Sequence, residues 1–242
     1  MIVATARTRN NGNIISRFCE AYQGVADLIL LADGGSTDDT VAVAESFANV
    51  EVLHFNEQMD VKGGYRINPQ GRHVNFLINA AIERGADWIT FDDSDCVPNF
   101  LLRTDAKKFF ADTGAPAIFL RRVYFWGSRE IFPKLHKPNT SLWAFRAELP
   151  IRADETDPWH LTMRLSPHKN LAPLRPDARH IEFPYCLLHY SWPSPKEAEA
   201  KITWYRESGV QPRCMSPLHW AGPIEPAEWF MDTKDRRGKE PL

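Results

Sequence analysis

The sequence predicts an α/β fold: a mostly parallel central sheet with helices on both faces, followed by a loop-rich, Pro-rich C-terminal half. Three observations carry the prediction. Over the first hundred residues, short apolar or β-branched runs alternate with segments of helical period, the pattern of repeated βαβ units. The run "ADLILLAD" is continuously apolar over strand length and is closed by Gly34 and Gly35. The runs also end in polar groups, with Arg7, Asp33 and Asp93 all at the carboxyl ends of strands, where parallel sheets bind ligands.

Each element has its own warrant. "MIVATART" alternates β-branched residues and then turns polar at Arg7-Thr8-Arg9-Asn10. In "NIISRFCEAYQG", Ile14, Ile15, Phe18, Cys19 and Tyr22 recur at helical spacing up to Gly24. "STDDTVAVAESFA" predicts a helix capped by Ser36 or Thr37, with acids in its first turn. "VEVLHF" is a third strand, "HVNFLINAAIERG" a helix ended by Gly85, and "ADWITFDDSD" a fourth strand. Beyond residue 120, "AIFLRRVYFWGS" and "SLWAFRAELP" predict strands that pair antiparallel. "SPKEAEAKITWYRESG" predicts a helix with a Ser-Pro start and a Gly209 stop.

Composition limits the function classes. With 242 residues, 43% apolar and 25% charged, the chain suits one domain over 1–242, a regular half at 1–120 and an irregular half at 121–242 laid over it. Residues 1–120 carry ten Lys/Arg against sixteen Asp/Glu and three prolines; residues 121–242 carry nineteen against fifteen, and fifteen prolines. A net charge of −2 with no concentrated basic run gives no nucleic-acid signal. No apolar run reaches membrane-span length, and the N-terminus turns polar too soon for a signal peptide. Cys19, Cys96, Cys186 and Cys214 have no metal-motif spacing and read as buried thiols of a cytoplasmic protein.

"WITFDDSDCVPN" poses the chemical question. Asp92, Asp93 and Asp95 crowd the end of a strand of buried character. Two like charges about 4 Å apart repel by roughly 1 kcal/mol in water and about 4 kcal/mol near a protein surface. Nothing structural is gained unless something positive is expected there. On an extended backbone Asp93 and Asp95 point the same way, and Mg²⁺ or Mn²⁺ takes one or two carboxylates together with phosphate oxygens. The plainer alternative is a solvated turn whose acids cap the segment Asp95 to Asn99.

The pattern has company. "LLADGGSTDDT" at 30–40 and "RGADWITFDDSD" ending at 95 resemble the two signatures of family-2 glycosyltransferases, the second being their DxD motif. "DETDPWHLTMRL" from 154 resembles the family's acidic segment that carries the catalytic base, and "LLHYSWPSPKEAEAKITWY" from 187 resembles the segment around its C-terminal metal-binding His. The resemblance implies a GT-A fold, a nucleotide-sugar donor, a hydroxyl acceptor, a divalent metal (Mn²⁺ or Mg²⁺) and inversion at the anomeric carbon. It places Asp33, with Thr5, Ala6 and Arg7, at the nucleobase. Asp93 falls at the ribose or metal, Asp95 and His189 at the metal, and Arg72 and Asn75 near the diphosphate. Gly34 stands where many relatives carry a second acid, so the base, taken as uracil, is open. For the catalytic base, "DETD" set on the family's "EDTD" favours Glu155, whereas counting back from "LTMRL" favours Asp157. Asp157 is preferred, because Pro158 would fix it at the start of a "PWHLTMRL" helix; Asp154 is the third candidate.

Each assignment has a structural counterpart: His189 as a core histidine, 154–157 as an acidic helix N-terminus, Arg72 as a solvated helix start, Lys196 and Lys201 as a polar helix face. Trp159 and the segment "HKPNTSLWAF" suit an acceptor floor, although Trp143 fits a core position. The positive balance after residue 120 permits an anionic acceptor such as a phosphorylated glycan, a lipid-linked sugar or modified DNA. Rival readings are a haloacid-dehalogenase-like phosphohydrolase, for which "DDSDCV" fits locally but sits on the fourth strand, a nucleotidyltransferase, and an inactive sugar-nucleotide-binding domain.

Overall fold

The computed structural model describes residues 1–55, 60–62, 65–67, 70–111, 114–126, 131–133, 139–155, 163–165, 171–192 and 224–226. The front half follows the predicted alternation: β1 (Ile2–Thr8), α1 (Ile15–Gln23), β2 (Leu28–Asp33), α2 (Thr40–Glu45), β3 (Val50–His54), the short pair β4 (Asp60–Lys62) and β5 (Tyr65–Ile67), α3 (Gln70–Glu83), β6 (Trp88–Asp93). Then come β7 (Cys96–Pro98), α4 (Phe100–Ala111), β8 (Ala117–Trp126), β9 (Ile131–Pro133), β10 (Asn139–Arg146), β11 (Ile151–Ala153), β12 (Met163–Leu165), a 3-10 turn (Ala172–Leu174), β13 (Arg179–Trp192) and β14 (Ile224–Pro226).

Eight strands form one sheet in the order β3-β2-β1-β6-β10-β8-β13-β7, and both halves of the chain contribute to it. β3, β2, β1 and β6 run parallel, β13 runs parallel to β8, and β10 and β7 are antiparallel to their neighbours. The predicted antiparallel pairing of the segments 117–128 and 141–150 is present, between residues 117–122 and 139–145. Alternation within β1 divides the core. Ala4 and Ala6 face α1 and α4 through Phe18, Tyr22, Leu102 and Phe110, whereas Val3 faces α3 through Val74, Leu77 and Ile78. Helices therefore cover both faces. Trp143 is fully buried, as its core position suggests.

Connectivity forces the sheet to curl. β6 and β7 are joined by the turn at 94–95, yet three strands lie between them in the sheet order. Three Cα steps span at most about 11 Å, but four strand spacings in a flat sheet amount to about 19 Å. The far edge must bend back towards β6, helped by irregular register in β13 between Ile181 and Cys186. This curl brings β13 to the turn after the acidic motif.

Two local expectations change, and one helix is added. α2 starts at Thr40, with Asp39 before it, because Ser36 and Thr37 are engaged in the preceding turn. α4, unread from sequence, is capped by Asn99, whose Oδ1 accepts from the Leu102 amide. Residues 163–165, assigned above to a helix, form β12 paired with β11. The proposed helix at 194–209 lies outside the described residues. Among those described, no helix is long and apolar enough to cross a membrane.

Candidate active site

The acidic motif resolves into three carboxylates with three different partners. Asp92, fully buried, receives Arg122 Nη2 at 2.6 Å and the Tyr22 hydroxyl at 3.2 Å; Tyr22 in turn accepts from Trp143 Nε1 at 3.3 Å. Burial pushes the Asp92 carboxyl up to about 6, against the pull of Arg122. Asp93 ends β6 opposite Arg7 on β1, and Arg7 Nη2 lies 2.5 Å from its Oδ1. Burial raises this carboxyl too, but Arg7, Arg122 and His189 together outweigh it and hold it below the usual range. Asp95, in the turn, has its Oδ1 3.1 Å from His189 Nε2. Like charges are thus tolerated because β1, β8 and β13 each deliver a cationic or titratable group to one acid.

Residues Asp95, Cys96 and His189 place a carboxylate oxygen, a thiol sulfur and a ring nitrogen within 4.8 Å of one another, a set able to hold a metal ion. Oxygen and imidazole donors suit Mn²⁺, whereas Mg²⁺ prefers oxygen and water. Asp93, expected from sequence to share the metal, is not in this group, because its carboxylate is turned to Arg7.

The first signature folds as a tight turn. Asp33 is almost fully buried, and its carboxylate accepts from the Gly35 amide (3.1 Å), the Ser36 amide (3.0 Å) and the Ser36 hydroxyl (2.5 Å). Asn10 and Asn11 stitch the loop after β1 to this turn and to the acidic motif. The Asn10 amide donates to Ser36 Oγ, and Asn11 Nδ2 donates to Ser94 Oγ at 2.7 Å. Thr5 and Ala6, expected beside the nucleobase, are fully buried, and the Thr5 hydroxyl donates to the Thr90 carbonyl. Their backbone is held in the sheet as well, between β2 on one side and β6 on the other.

His73 was not singled out by any sequence pattern. It lies against Gly34, where a Cβ would stand 3.4 Å from its Cε1, and its ring packs on Phe55 with centroids 4.1 Å apart. An acid at 34 would meet this ring. Burial, reinforced by Arg7 and opposed by Asp33, depresses its pKa to about 4. A histidine neutral in the folded state and ordinary when unfolded stabilises the fold above its unfolded pKa, and that stability is lost as pH falls from about 6.5 towards 4. The raised carboxyl of Asp92 acts in the opposite direction between its ordinary value of 3.8 and about 6. The expected result is that His73→Phe, which keeps the ring contact but cannot titrate, loses less stability than wild type in urea unfolding between pH 6.5 and 4. Equal losses would refute this contribution.

The base candidates separate. Asp154 is buried and ion-paired with Arg164. Glu155 is exposed, and its Oε1 accepts from Asn75 Nδ2 at 2.6 Å; Asn75 also exchanges hydrogen bonds with the Ala153 backbone at 2.8 and 3.0 Å. Asn75, expected near a diphosphate, is therefore committed to the 153–155 segment. Gly71 lets the helix approach that segment, since a Cβ there would meet the Asp154 carbonyl oxygen at 2.5 Å. Arg72 lies in the first turn of α3. Asp157 and Trp159 lie outside the described residues.

No family model and no curated protein matches the sequence. Solved structures do match. S. aureus TarS superposes with a TM-score of 0.54 at 13% identity over 85% of this chain and 39% of that one. Its 1–349 form gives 0.51 at 15% identity over 85% and 64%. Glucosyl-3-phosphoglycerate synthase from Mycobacterium tuberculosis, in complex with Mn²⁺, UDP and glucosyl-3-phosphoglycerate, gives 0.50 at 15% identity over 88% and 82%. The chain thus spans less than two thirds of TarS 1–349. At these identities the likeness is one of fold, and the fold is the GT-A type.

Proposed function

We propose that the protein is a metal-dependent, inverting glycosyltransferase of the family-2 kind, moving a sugar from a nucleotide-sugar donor, UDP-linked, to a hydroxyl acceptor. The observation that carries this reading is the meeting of Asp93–Arg7 and Asp95–His189 at the carboxyl ends of the parallel strands in a GT-A fold. The complex of the mycobacterial synthase with Mn²⁺ and UDP supports the same donor chemistry.

In this reading residues 1–120 bind the donor and 121–242 the acceptor within one domain. The turn organised by Asp33, with the side chain of Arg7, frames the base end, and Thr5 and Ala6 hold the strand beneath it. Asp93 contacts the ribose, and Arg72 lies towards the diphosphate. Asp95 and His189 would hold a divalent cation, which when bound supplies Lewis-acid neutralisation of the departing diphosphate. A carboxylate of the 155–157 segment takes the proton of the acceptor hydroxyl. The hydroxyl oxygen attacks the anomeric carbon from the face opposite the nucleoside diphosphate, the bond to the diphosphate oxygen breaks, and configuration inverts. One base suffices, unlike the paired carboxylates of glycoside hydrolysis. Asp157 is assigned this role: Asp157→Asn is expected to abolish transfer while retaining donor binding, and Glu155→Gln to retain transfer. The reverse pattern would move the base to Glu155.

The test of the whole reading is a thermal-shift screen of UDP-, GDP-, CMP- and dTDP-sugars, each with Mn²⁺ and with chelator. A ligand at about a hundred times its dissociation constant stabilises by about 2.7 kcal/mol. A Mn²⁺-dependent shift with UDP-sugars is expected. No shift with any of them would overturn the reading and favour the phosphohydrolase.

A further inference from the structure

Cys96 is the residue of the metal-competent group that the proposed reaction leaves without a role. It opens β7 directly opposite His189 in the antiparallel β13–β7 pair. Directly opposed residues in such a pair project to the same face, with Cβ atoms about 4.5–5.5 Å apart. The register thus agrees with the 4.8 Å limit on the spacing of the Asp95, Cys96 and His189 ligand atoms. Cys96 is fully buried and is in no disulfide, so none competes for its sulfur. One carboxylate oxygen, one imidazole nitrogen and one sulfur make a donor set suited to zinc-like ions, whereas Mg²⁺ takes oxygen and water.

We infer that Cys96 is a third protein ligand of the Asp95–His189 site, which then takes a borderline ion such as Zn²⁺ or Co²⁺ in preference to Mg²⁺. The inference rests on the metal-site reading above and changes its chemistry from a hard site to a mixed one. When the ion binds, the thiol proton leaves to solvent and a metal–sulfur bond forms, with no change in oxidation state. Three protein ligands leave a fourth position for water or a diphosphate oxygen. The fold supplies this set through its curl: Asp95 and Cys96 come from the β6–β7 turn and its exit, His189 from the far edge strand.

The test is absorption spectroscopy of the full chain titrated with Co²⁺. Wild type is expected to show the d–d bands of bound cobalt together with a near-ultraviolet thiolate-to-cobalt charge-transfer band. Cys96→Ser, and Cys96→Ala as a second variant checked for a native circular dichroism spectrum, should lose the charge-transfer band; Cys214→Ser should keep it. Zn²⁺ affinity, measured by competition with a chromogenic chelator, should fall in Cys96→Ser by at least the roughly 10–100-fold that loss of an outer-shell partner costs. Cobalt d–d bands without charge transfer would overturn the thiolate ligand while leaving the Asp95–His189 site standing. A cobalt spectrum unchanged in Asp95→Asn would place the ion elsewhere and overturn the metal-site reading with it.

Discussion

Asp95→Asn is expected to abolish Mn²⁺-dependent donor binding and to lower kcat/KM for transfer by more than the roughly 10–100-fold that loss of an outer-shell metal partner costs, with the fold intact. The carboxamide preserves shape and still lets the Asp95 backbone carbonyl accept from the Tyr190 amide at 2.9 Å, so the turn should survive. What is lost is the anionic oxygen 3.1 Å from His189 Nε2. Calorimetric titration of a UDP-sugar with and without Mn²⁺, beside a thermal melt, separates the two effects. Undiminished turnover in the variant would remove Asp95 from the site. A collapse of the melt would instead make its role structural.

Arg122→Met is expected to give the largest loss of stability. Arg122 supplies the cation facing Asp92, a carboxylate with no solvent exposure that also accepts from the Tyr22 hydroxyl. Removing one member of a buried pair costs about 3–5 kcal/mol, because the remaining charge is left uncompensated. Methionine keeps the stem volume and isolates the electrostatic part. Adding Asp92→Asn should recover a substantial share of the loss, since the double variant buries no unpaired charge. Chemical denaturation of the single and double variants measures both quantities. A single-variant loss below about 1 kcal/mol, the range of exposed pairs, would show that Asp92 is carried neutral.

The two acids illustrate how differently the motif was legible. That "DDSD" needs positive partners follows from Coulomb repulsion alone, and the sequence supports it with no structure at all. Which partners they are does not follow. Arg7 was within reach of inference, because strand order and register set it opposite Asp93 at neighbouring strand ends. Arg122, in the pair Arg121-Arg122 on β8, was not, since nothing local distinguishes its partly buried side chain from that of exposed Arg121. His73 was hidden for a similar reason: its significance lies in Gly34 and Phe55, which come from other strands and loops.

By itself the sequence determined the parallel core, the helices on both faces and the crowding of polar groups at one end of the sheet. Those properties are set by local periodicity and by the alternation of apolar runs, both of which are visible along the chain. It also determined that the acids at the end of β6 require compensation. Only the tertiary structure decided how they receive it. The short turn between β6 and β7, set against the strand order, forces a curl that carries His189 from residue 189 to Asp95 and aligns Cys96 with it. That outcome depends on which strand edge closes on which, a non-local property that no window of sequence contains.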